Sequence, residues 1–417
     1  MTQAISPPTR AEQRVQRVAH FTDTYLPRRD GVVTSLRTLC RELDADGCAT
    51  VTVAPRHREQ PPSTDLLTLR SVPCGVADLR LGGWPTAAAL ERVAHRRPDL
   101  IHVHTPGPMG LLGTIVARRL GVPLVHSYHT DLYAYAEAYR VPARALELGL
   151  QYYARHLGAP GRCGQAGEIS RRHRALDGLH KLLLGRADAV IVPTPAVLER
   201  AHLPVPAERI FLVPAGVAAR PVTPAEVAAF RTRWGLREDD AVALFVGRVN
   251  REKGVDLLIS AFARVAARVP AARLLLIGAV YEPRWVRRLL AAAGVESRVV
   301  ITGQLPPEEV AAAYACARVF AFPSLTDTQG LVLQEAALAG VPSLLCDPQL
   351  HRTGVLGETA LLAPPLPDAY AEMLTALLTS PGTAKAAGAR ARERAMHHTP
   401  ARYAATMRDV YAFAASR

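Results

Sequence analysis

Short apolar runs alternate with longer amphipathic stretches along most of the chain. Apolar runs bounded by turn residues predict buried strands, and apolar positions that recur every three or four residues predict helices. In the first half the predicted strands are Val15–Thr22, Thr50–Ala54, Leu100–His104, Leu124–Tyr128, Ala189–Pro193 and Ile210–Pro214, and the helices include Val32–Leu43 and Ala87–His95. Strands that alternate with helices indicate an α/β protein with a doubly wound parallel sheet.

The same rhythm starts again after a Pro-containing join at Ala218–Thr223. Its predicted strands are Ala241–Val246, Arg273–Ile277, Val299–Thr302 and Val319–Pro323, and its helices are Val255–Ala267, Pro283–Ala293, Pro307–Cys316 and Gly330–Ala339. Two such runs predict two Rossmann-like domains facing across a cleft, which is lined by the loops at the carboxyl ends of the strands. We place these domains at 14–217 and 218–395, followed by a helix at 396–417.

The section Gln151–Arg186 differs, because it is strongly basic and predicts two helices joined by a flexible loop. The whole chain of 417 residues carries a formal charge of +13. This charge favours phosphate-bearing substrates, nucleic acid or an anionic membrane as partners, although a general bias toward Ala and Arg explains it equally well. Six cysteines without a C-x-x-C pair, no apolar leader and no run of 18 apolar residues predict a cytoplasmic protein that does not span a membrane.

Two cations follow the first predicted strand of the second half. Arg248 comes directly after Gly247, where the strand ends, and Lys253 lies five residues later at the start of a helix. Two positive side chains at this edge, together with the N–H groups of a helix N-terminus, can neutralise a diphosphate. The alternative is a pair of solvated charges in a turn.

Two acids surround the start of a later helix. Asp327 follows a predicted strand, Glu335 lies eight residues on, and Gly330 between them lets the backbone approach a ligand closely. Carboxylates accept hydrogen bonds from sugar hydroxyls, and backbone N–H groups donate to phosphate, so the loop offers what a nucleotide sugar requires. The alternatives are a helix cap at Asp327 and a solvated helix position at Glu335.

The first half contributes two weaker candidates. His129 follows the strand Leu124–Tyr128 and should lie in the cleft, although a lone histidine is more often structural. His102 and His104 alternate along one strand, and we interpret both as structural. Gly31 begins a helix and can approach a phosphate, with an ordinary glycine turn as the alternative.

These four segments, in this order, resemble the family 4 retaining glycosyltransferases of the GT-B fold. The similarity extends from Ala19 to about Phe413, and Phe21–Pro27, Asp30–Val32, His126–Tyr135 and Asp327–Gly330 are most similar to the branch with the diacylglycerol glucosyltransferases. The resemblance implies transfer of a hexosyl unit from a nucleotide-diphosphate sugar, with a UDP-sugar favoured. It also implies a C-terminal helix that returns to the N-terminal domain.

The resemblance assigns roles as well. Arg248 and Lys253 would bind the diphosphate and stabilise the leaving group, while Asp327 and His129 would lie beside the transferred sugar, and Glu335 would hold the ribose. The residues expected at the donor are Gly31, Arg248, Lys253, Gly303, Gln304, Leu305, Asp327, Thr328, Gln329, Gly330, Leu331 and Glu335, of which Gly303 to Leu305 flank the base.

Two departures from the family pattern affect specificity. Asp327 stands where Glu is usual and Gln329 where Phe is common, so the identity of the sugar stays open. We find no covalent nucleophile, which favours front-face attack with electrostatic stabilisation of the departing phosphate. No cofactor or metal is expected, because the D-x-D pattern at Asp44-Ala45-Asp46 lies beyond a helix end.

The acceptor is expected to be a membrane lipid or glycolipid, with the basic segment Arg155–Arg186 lying against the inner face of the plasma membrane. A soluble small molecule, such as an antibiotic precursor, is the alternative acceptor, and a non-enzymatic polyanion binder is a more distant alternative. A dehydrogenase is disfavoured, because no G-x-G-x-x-G follows the first strand. No specific nucleic acid is expected, because the sequence has no helix-turn-helix, RNP or zinc signature.

Overall fold

The structure, a computed structural model, describes residues 15–74, 80–82, 84, 86–129, 132–133, 136, 141–159, 170–201 and 203–417. The strands described are β1 (Arg17–Phe21), β2 (Ala49–Pro55), β3 (Leu66–Leu69), β4 (Ser71–Pro73), β5 (Arg80–Gly82), β6 (Leu100–Val103), β7 (Leu124–Ser127), β8 (Ala189–Val192), β9 (Ile210–Leu212), β10 (Ala241–Val246), β11 (Ala272–Ile277), β12 (Val299–Gly303), β13 (Val319–Phe322), β14 (Ser343–Leu345) and β15 (Leu361–Leu362).

The helices described are α1 (Gly31–Ala45), α2 (Ala87–Ala94), α3 (Pro108–Leu120), α4 (Ala143–Leu157), α5 (Arg171–Leu183), α6 (Pro195–Arg200), α7 (Pro224–Arg233), α8 (Val255–Arg268), α9 (Pro283–Ala293), α10 (Pro307–Cys316), α11 (Leu331–Leu338), α12 (Pro348–Thr353), α13 (Pro367–Thr379), α14 (Pro381–Ala395) and α15 (Pro400–Ala415). Within the described residues, none of these helices is both long enough and apolar enough to cross a membrane.

Two parallel sheets organise the described part of the chain. The first has the strand order β3-β2-β1-β6-β7-β8-β9, and the second has the order β12-β11-β10-β13-β14-β15. Each order reverses next to its first strand, which is where open α/β sheets bind ligands. The predicted α/β class with two Rossmann-like domains is therefore confirmed.

Apolar strands are buried on both faces of each sheet. β10 reads Ala-Val-Ala-Leu-Phe-Val, and Ala243 and Phe245 pack in one apolar cluster while Val242 and Leu244 pack in another. Side chains alternate between the faces of a strand, so a run without polar positions is what a sheet covered by helices on both sides requires.

The C-terminal helix α15 returns to the first sheet, as predicted. Its residues Tyr403, Met407 and Tyr411 are buried in a cluster with Leu39 and Val125. The chain passes close to its own earlier segment on the way, because a Cβ atom at Gly216 would lie 2.3 Å from the carbonyl oxygen of Thr399. Only glycine fits there, so the close approach of the two segments requires glycine at position 216.

The basic section is partly described. Its two predicted helices are present as α4 and α5, and the predicted loop at 160–169 lies outside the described residues. The same holds for Thr130, Asp131 and Tyr135 of the segment that follows β7.

Candidate active site

A cleft of about 1400 Å³ lies between the two halves of the molecule. Asp23 and Gly31 line it from the first half, and Arg248, Gln304 and Gly330 line it from the second. Asp23 follows β1 and Arg248 follows β10, the strands beside which each sheet order reverses. The cleft therefore has the position that ligand sites take in doubly wound sheets.

Four charged side chains meet in the second half of the cleft. Lys253 Nζ lies 2.9 Å from a carboxylate oxygen of Asp327 and 3.5 Å from one of Glu252. Arg248 donates to Glu252 over 2.8 Å. The structure thus brings Arg248, Lys253 and Asp327 together, as predicted, and adds Glu252, which was not predicted.

The cations keep Asp327 ionised. Burial on its own raises the pKa of Asp327, but the charge of Lys253, a hydrogen bond from Ser324 and the charge of Arg248 outweigh it, and the pKa lies below its usual value. An ionised carboxylate accepts hydrogen bonds from sugar hydroxyls. Asp327 does not cap the following helix, because Gly330 is the residue at the N-cap position of α11.

Glu335 lies on α11 and is held by a tyrosine. The Tyr314 hydroxyl donates to a carboxylate oxygen of Glu335 over 3.0 Å, and burial raises the pKa of Glu335. Glu335 is therefore a positioned group in the wall of the cleft rather than a fully solvated helix residue. Tyr314 was missed in the sequence, because nothing in its own segment marks it as a partner of Glu335.

The two parts of the loop between Asp327 and Glu335 have different surroundings. Gly330 has a φ of 71°, which favours glycine, and within the described residues no side chain caps α11 at this point. The N–H groups of the first turn, which includes Leu331, can therefore donate to a ligand. Thr328 instead faces the first half, since its hydroxyl donates to the His129 carbonyl over 3.1 Å.

Gln329 joins the two halves. Its side-chain oxygen accepts from the Ala215 N–H over 3.0 Å, and its amide nitrogen donates to the Ala215 carbonyl over 2.9 Å and to Gln334 over 2.8 Å. The side chain is buried and engaged within the protein, so a donor contact from Gln329 would have to come from its backbone.

The segment predicted to flank the base touches the first half as well. Gln304 donates to the Arg29 carbonyl over 3.2 Å, and Arg29 donates to the Leu305 carbonyl over 3.2 Å. Gly303 ends β12 with a φ of 73°. Gly31 starts α1, and a Cβ atom there would lie 3.9 Å from Leu331, so these predicted donor residues face one another across the cleft.

His129 is the outermost ring of a histidine chain. Its Nε2 lies 3.2 Å from His104 Nδ1, and His104 Nε2 lies 3.0 Å from His20 Nδ1. Burial lowers the pKa of His129 to about 4 and that of His20 to about 3, and it lowers the pKa of His104 well below its usual value. All three rings are therefore neutral near pH 7.

Metal binding finds one candidate within the described residues, the nitrogen atoms of His20, His102 and His104, which lie within 4.8 Å of one another. Most of these nitrogens already have partners, since the two of His102 bond to the hydroxyls of Tyr411 and Ser127, and those of His104 bond to His20 and His129. A metal ion would have to break these bonds. The expectation that no metal takes part stays a prediction.

A further carboxyl group in the cleft was not given a role from the sequence. Asp23 accepts from the Thr105 hydroxyl over 2.5 Å and from the Met109 N–H over 2.9 Å. Burial raises the pKa of Asp23 to about 6, and these hydrogen bonds partly offset the rise. Asp23 therefore anchors the start of α3 at the edge of the cleft.

Comparison with known families gives two matches in series. Residues 29–220 match the description "Glycosyltransferase Family 4", and residues 226–394 match "Glycosyl transferases group 1". The chain is 33% identical over 351 residues to D-inositol 3-phosphate glycosyltransferase of Xylanimonas cellulosilytica, covering 80% of this chain and 76% of that protein. It is 27% identical over 335 residues to alpha-monoglucosyldiacylglycerol synthase of Streptococcus pneumoniae, covering 78% and 70%.

Solved structures are similar over nearly the whole chain. Sucrose-phosphate synthase of Thermosynechococcus elongatus has a TM-score of 0.70 at 23% identity, with 95% of this chain and 98% of that chain covered. Anabaena HepE, solved in complex with UDP-glucose, has a TM-score of 0.68 at 15% identity, with 94% and 98% covered. At these identities the similarity concerns the fold, and it confirms the fold predicted from the sequence.

Proposed function

The chain belongs to the group 1 and family 4 glycosyltransferases of the GT-B fold, and we propose that it moves a hexosyl unit from a nucleotide-diphosphate sugar to a membrane lipid or glycolipid. A UDP-sugar is the favoured donor. The observation that carries this proposal is the cluster in which Arg248 and Lys253 meet Asp327 at the carboxyl ends of β10 and β13.

Donor binding would change the partners in this cluster. The diphosphate of a nucleotide sugar carries two negative charges and can accept hydrogen bonds from both cations at once, so Lys253 and Arg248 would turn toward it. Asp327 would then accept hydrogen bonds from the sugar hydroxyls, and Glu335 would accept them from the ribose. The N–H groups at the start of α11 add donors for the phosphate or the sugar.

Transfer would proceed with retention. Arg248 and Lys253 stabilise charge on the departing phosphate, which is where charge develops in the transition state. The acceptor would attack from the face that the leaving group vacates, with a donor phosphate oxygen taking the acceptor proton. This mechanism needs no metal, so chelation should leave the rate unchanged.

Replacing Lys253 by Ala tests the donor site. We expect a loss of turnover of about a hundredfold or more, as for the removal of one positioned electrostatic group. The exposed Lys385→Ala variant is the matched control and should keep full activity. Nucleotide release is measured with UDP-, GDP- and ADP-sugars, and NMR of the product gives the anomeric configuration. Full activity in Lys253→Ala would refute the site, and an inverted product would refute the mechanism.

A membrane lipid as the acceptor is supported by a surface on α4 and its neighbours. Leu148 on α4 is 66% exposed, and Trp84 is 50% exposed and packs edge-on against Tyr152. Arg155 on the same helix is exposed, as is Lys181 on α5. Exposed apolar side chains beside basic ones are typical of proteins that rest on an anionic membrane surface.

Vesicle binding tests this surface. The protein should sediment with vesicles that contain anionic lipid at low salt, and Leu148→Asp should weaken that binding. Leu366→Asp is the control, because Leu366 is similarly exposed, at 60%, in the second half of the chain. No binding by the unaltered protein, or equal binding by Leu148→Asp, would refute the membrane contact.

A soluble acceptor is the second candidate. The relative of 33% identity is named for an inositol phosphate, which is a soluble molecule. Arg37 and Arg41 line the first half of the cleft, and such side chains can bind an anionic acceptor. Sugar transfer to a phosphorylated polyol, with none to diacylglycerol, would favour this candidate.

A further inference from the structure

The histidine chain behind His129 has no part in the proposed sugar transfer. Three rings are linked end to end, from His20 through His104 to His129, by contacts of 3.0 Å and 3.2 Å between ring nitrogens. His20 and His104 are fully buried, and His129 lines the cleft. The Nδ1 atom of His129 has no hydrogen-bond partner within the described part of the chain, which leaves it for a ligand.

The three rings must share a single direction of donation. A neutral imidazole carries one N–H, so it donates at one nitrogen and accepts at the other. If His20 donates to His104, then His104 donates to His129, and His129 carries its proton on Nδ1. If His129 donates to His104 instead, the order reverses, and His20 is left with an N–H on Nε2.

The inner end of the chain favours the first direction. Within the described residues His20 Nε2 is buried and has no hydrogen-bond partner. It lies on the same face of β1 as Val18, which packs in an apolar cluster with α1 and α15. Buried N–H groups without an acceptor are rarer in proteins than under-used acceptors, so a bare nitrogen is the better tolerated end.

The outer end of the histidine chain, at His129, favours the same direction of donation. The carboxylate of Asp30 stabilises positive charge on His129. A nearby negative charge favours an N–H dipole directed outward, toward the cleft, over a lone pair in that position. A diphosphate bound in the cleft would act in the same sense.

We propose that His20 and His104 are positioning residues that hold His129 in its Nδ1–H tautomer, so that His129 offers the cleft a hydrogen-bond donor and not a base. The oxygen that accepts this hydrogen bond belongs to a sugar hydroxyl or a phosphate of the sugar nucleotide. That ligand rests on the proposed function, whereas the tautomer does not, and the two can be tested separately.

The tautomer is measured on the protein alone, by NMR of histidine side chains labelled with ¹⁵N. The His129 signals are identified by their loss in His129→Asn. We expect the proton on Nδ1 near pH 7. A proton on Nε2 in the unaltered protein would overturn the proposal, whatever the enzyme's activity.

Replacing His20 tests whether it affects the tautomer of His129 through His104. In His20→Leu the direction is no longer fixed, and His129 should show a mixture of tautomers. His20→Asn restores a donor at the position of Nδ1 and should restore the Nδ1–H form. His95→Gln, at an exposed site, is the control. An unchanged, pure Nδ1–H form of His129 in a folded His20→Leu variant would contradict the role of His20 in setting the tautomer.

Kinetics add a second measurement. In His20→Leu we expect the KM for the sugar nucleotide to rise about threefold to tenfold, the size of one hydrogen bond, and His20→Asn should reverse most of this rise. A purely structural defect would lower the fraction of active enzyme and kcat, with KM unchanged. That outcome, with an unchanged tautomer, would refute a positioning role.

Discussion

Lowering the pH from 7.5 to 5 should destabilise the protein through the buried histidines of the first sheet. Burial lowers the pKa of His20 and that of His126 to about 3, and it lowers the pKa values of His102 and His104 well below their usual range. As the pH falls through about 6.5, the unfolded chain takes up protons that the folded chain does not. The stability is therefore complete above pH 6.5 and is lost progressively as the pH falls.

The size of the effect follows from linkage. At pH 5, which is about 1.5 units below the unfolded pKa, a histidine kept neutral costs about 2 kcal/mol, so His20 and His126 together cost about 4 kcal/mol. Asp23 acts in the opposite sense, because burial raises its pKa to about 6. The folded chain then holds that proton more tightly and regains about 1 kcal/mol. These three groups give a net loss of about 3 kcal/mol, to which His102, His104 and His129 add, and this is large against a typical stability of about 5–15 kcal/mol.

Urea unfolding followed by circular dichroism at pH 7.5 and pH 5 measures this loss. In His126→Leu an apolar side chain replaces a ring whose two nitrogens have no partner within the described residues. This variant should recover about 2 kcal/mol of the loss at pH 5. His95→Gln, at an exposed position, should behave like the unaltered protein. Equal stability at the two pH values, or a parallel pH dependence in His126→Leu, would refute the reasoning.

Three further changes probe the cleft. Asp327→Glu should lower kcat/KM for the preferred donor by about a hundredfold, because a shift of about 1 Å misplaces the carboxylate, and an unchanged donor screen would contradict this. Tyr314→Phe removes the hydroxyl that holds Glu335 and should raise the KM for the nucleotide sugar about threefold to tenfold at constant kcat, as steady-state kinetics will show. Gln329→Leu leaves the N–H and carbonyl groups of Ala215 unpaired and should lower the free energy of unfolding by about 2–5 kcal/mol, measured by urea unfolding at pH 7.5. An unchanged free energy of unfolding would contradict the role of Gln329 in joining the two halves.

The main strands could be predicted because parallel strands buried on both faces are continuous apolar runs. The strand predicted at Ala241–Val246 has these bounds in the structure, and that predicted at Val319–Pro323 ends one residue earlier. The last two strands of the second sheet, β14 and β15, were not predicted, because they have three and two residues and are too short to show a pattern. Such strands are defined by the neighbour with which they pair.

For the site, the positions of the residues could be predicted, but their hydrogen-bond partners could not. The positions of Arg248, Lys253 and Asp327 at strand ends follow from the strand pattern, because the carboxyl ends of parallel strands meet at one edge. The partners of site residues do not follow from it. Gln329 bonds to Ala215, 114 positions away, and Tyr314 bonds to Glu335, 21 positions away. A single sequence carries no signal for such pairs, since each depends on how separate elements pack.

The loop with Asp327 belongs to the second half, but the first half holds its backbone. Thr194 donates to the Thr328 carbonyl over 2.6 Å, Arg200 donates to the Asp327 carbonyl over 3.0 Å, and Thr328 donates to the His129 carbonyl over 3.1 Å. Separating the halves must break these bonds, at a net cost of about 1 kcal/mol each. The backbone that carries Asp327 is therefore held by the first half only while the two halves are together. We expect this arrangement to limit reaction of the donor with water when the cleft is open, because the site is then incomplete.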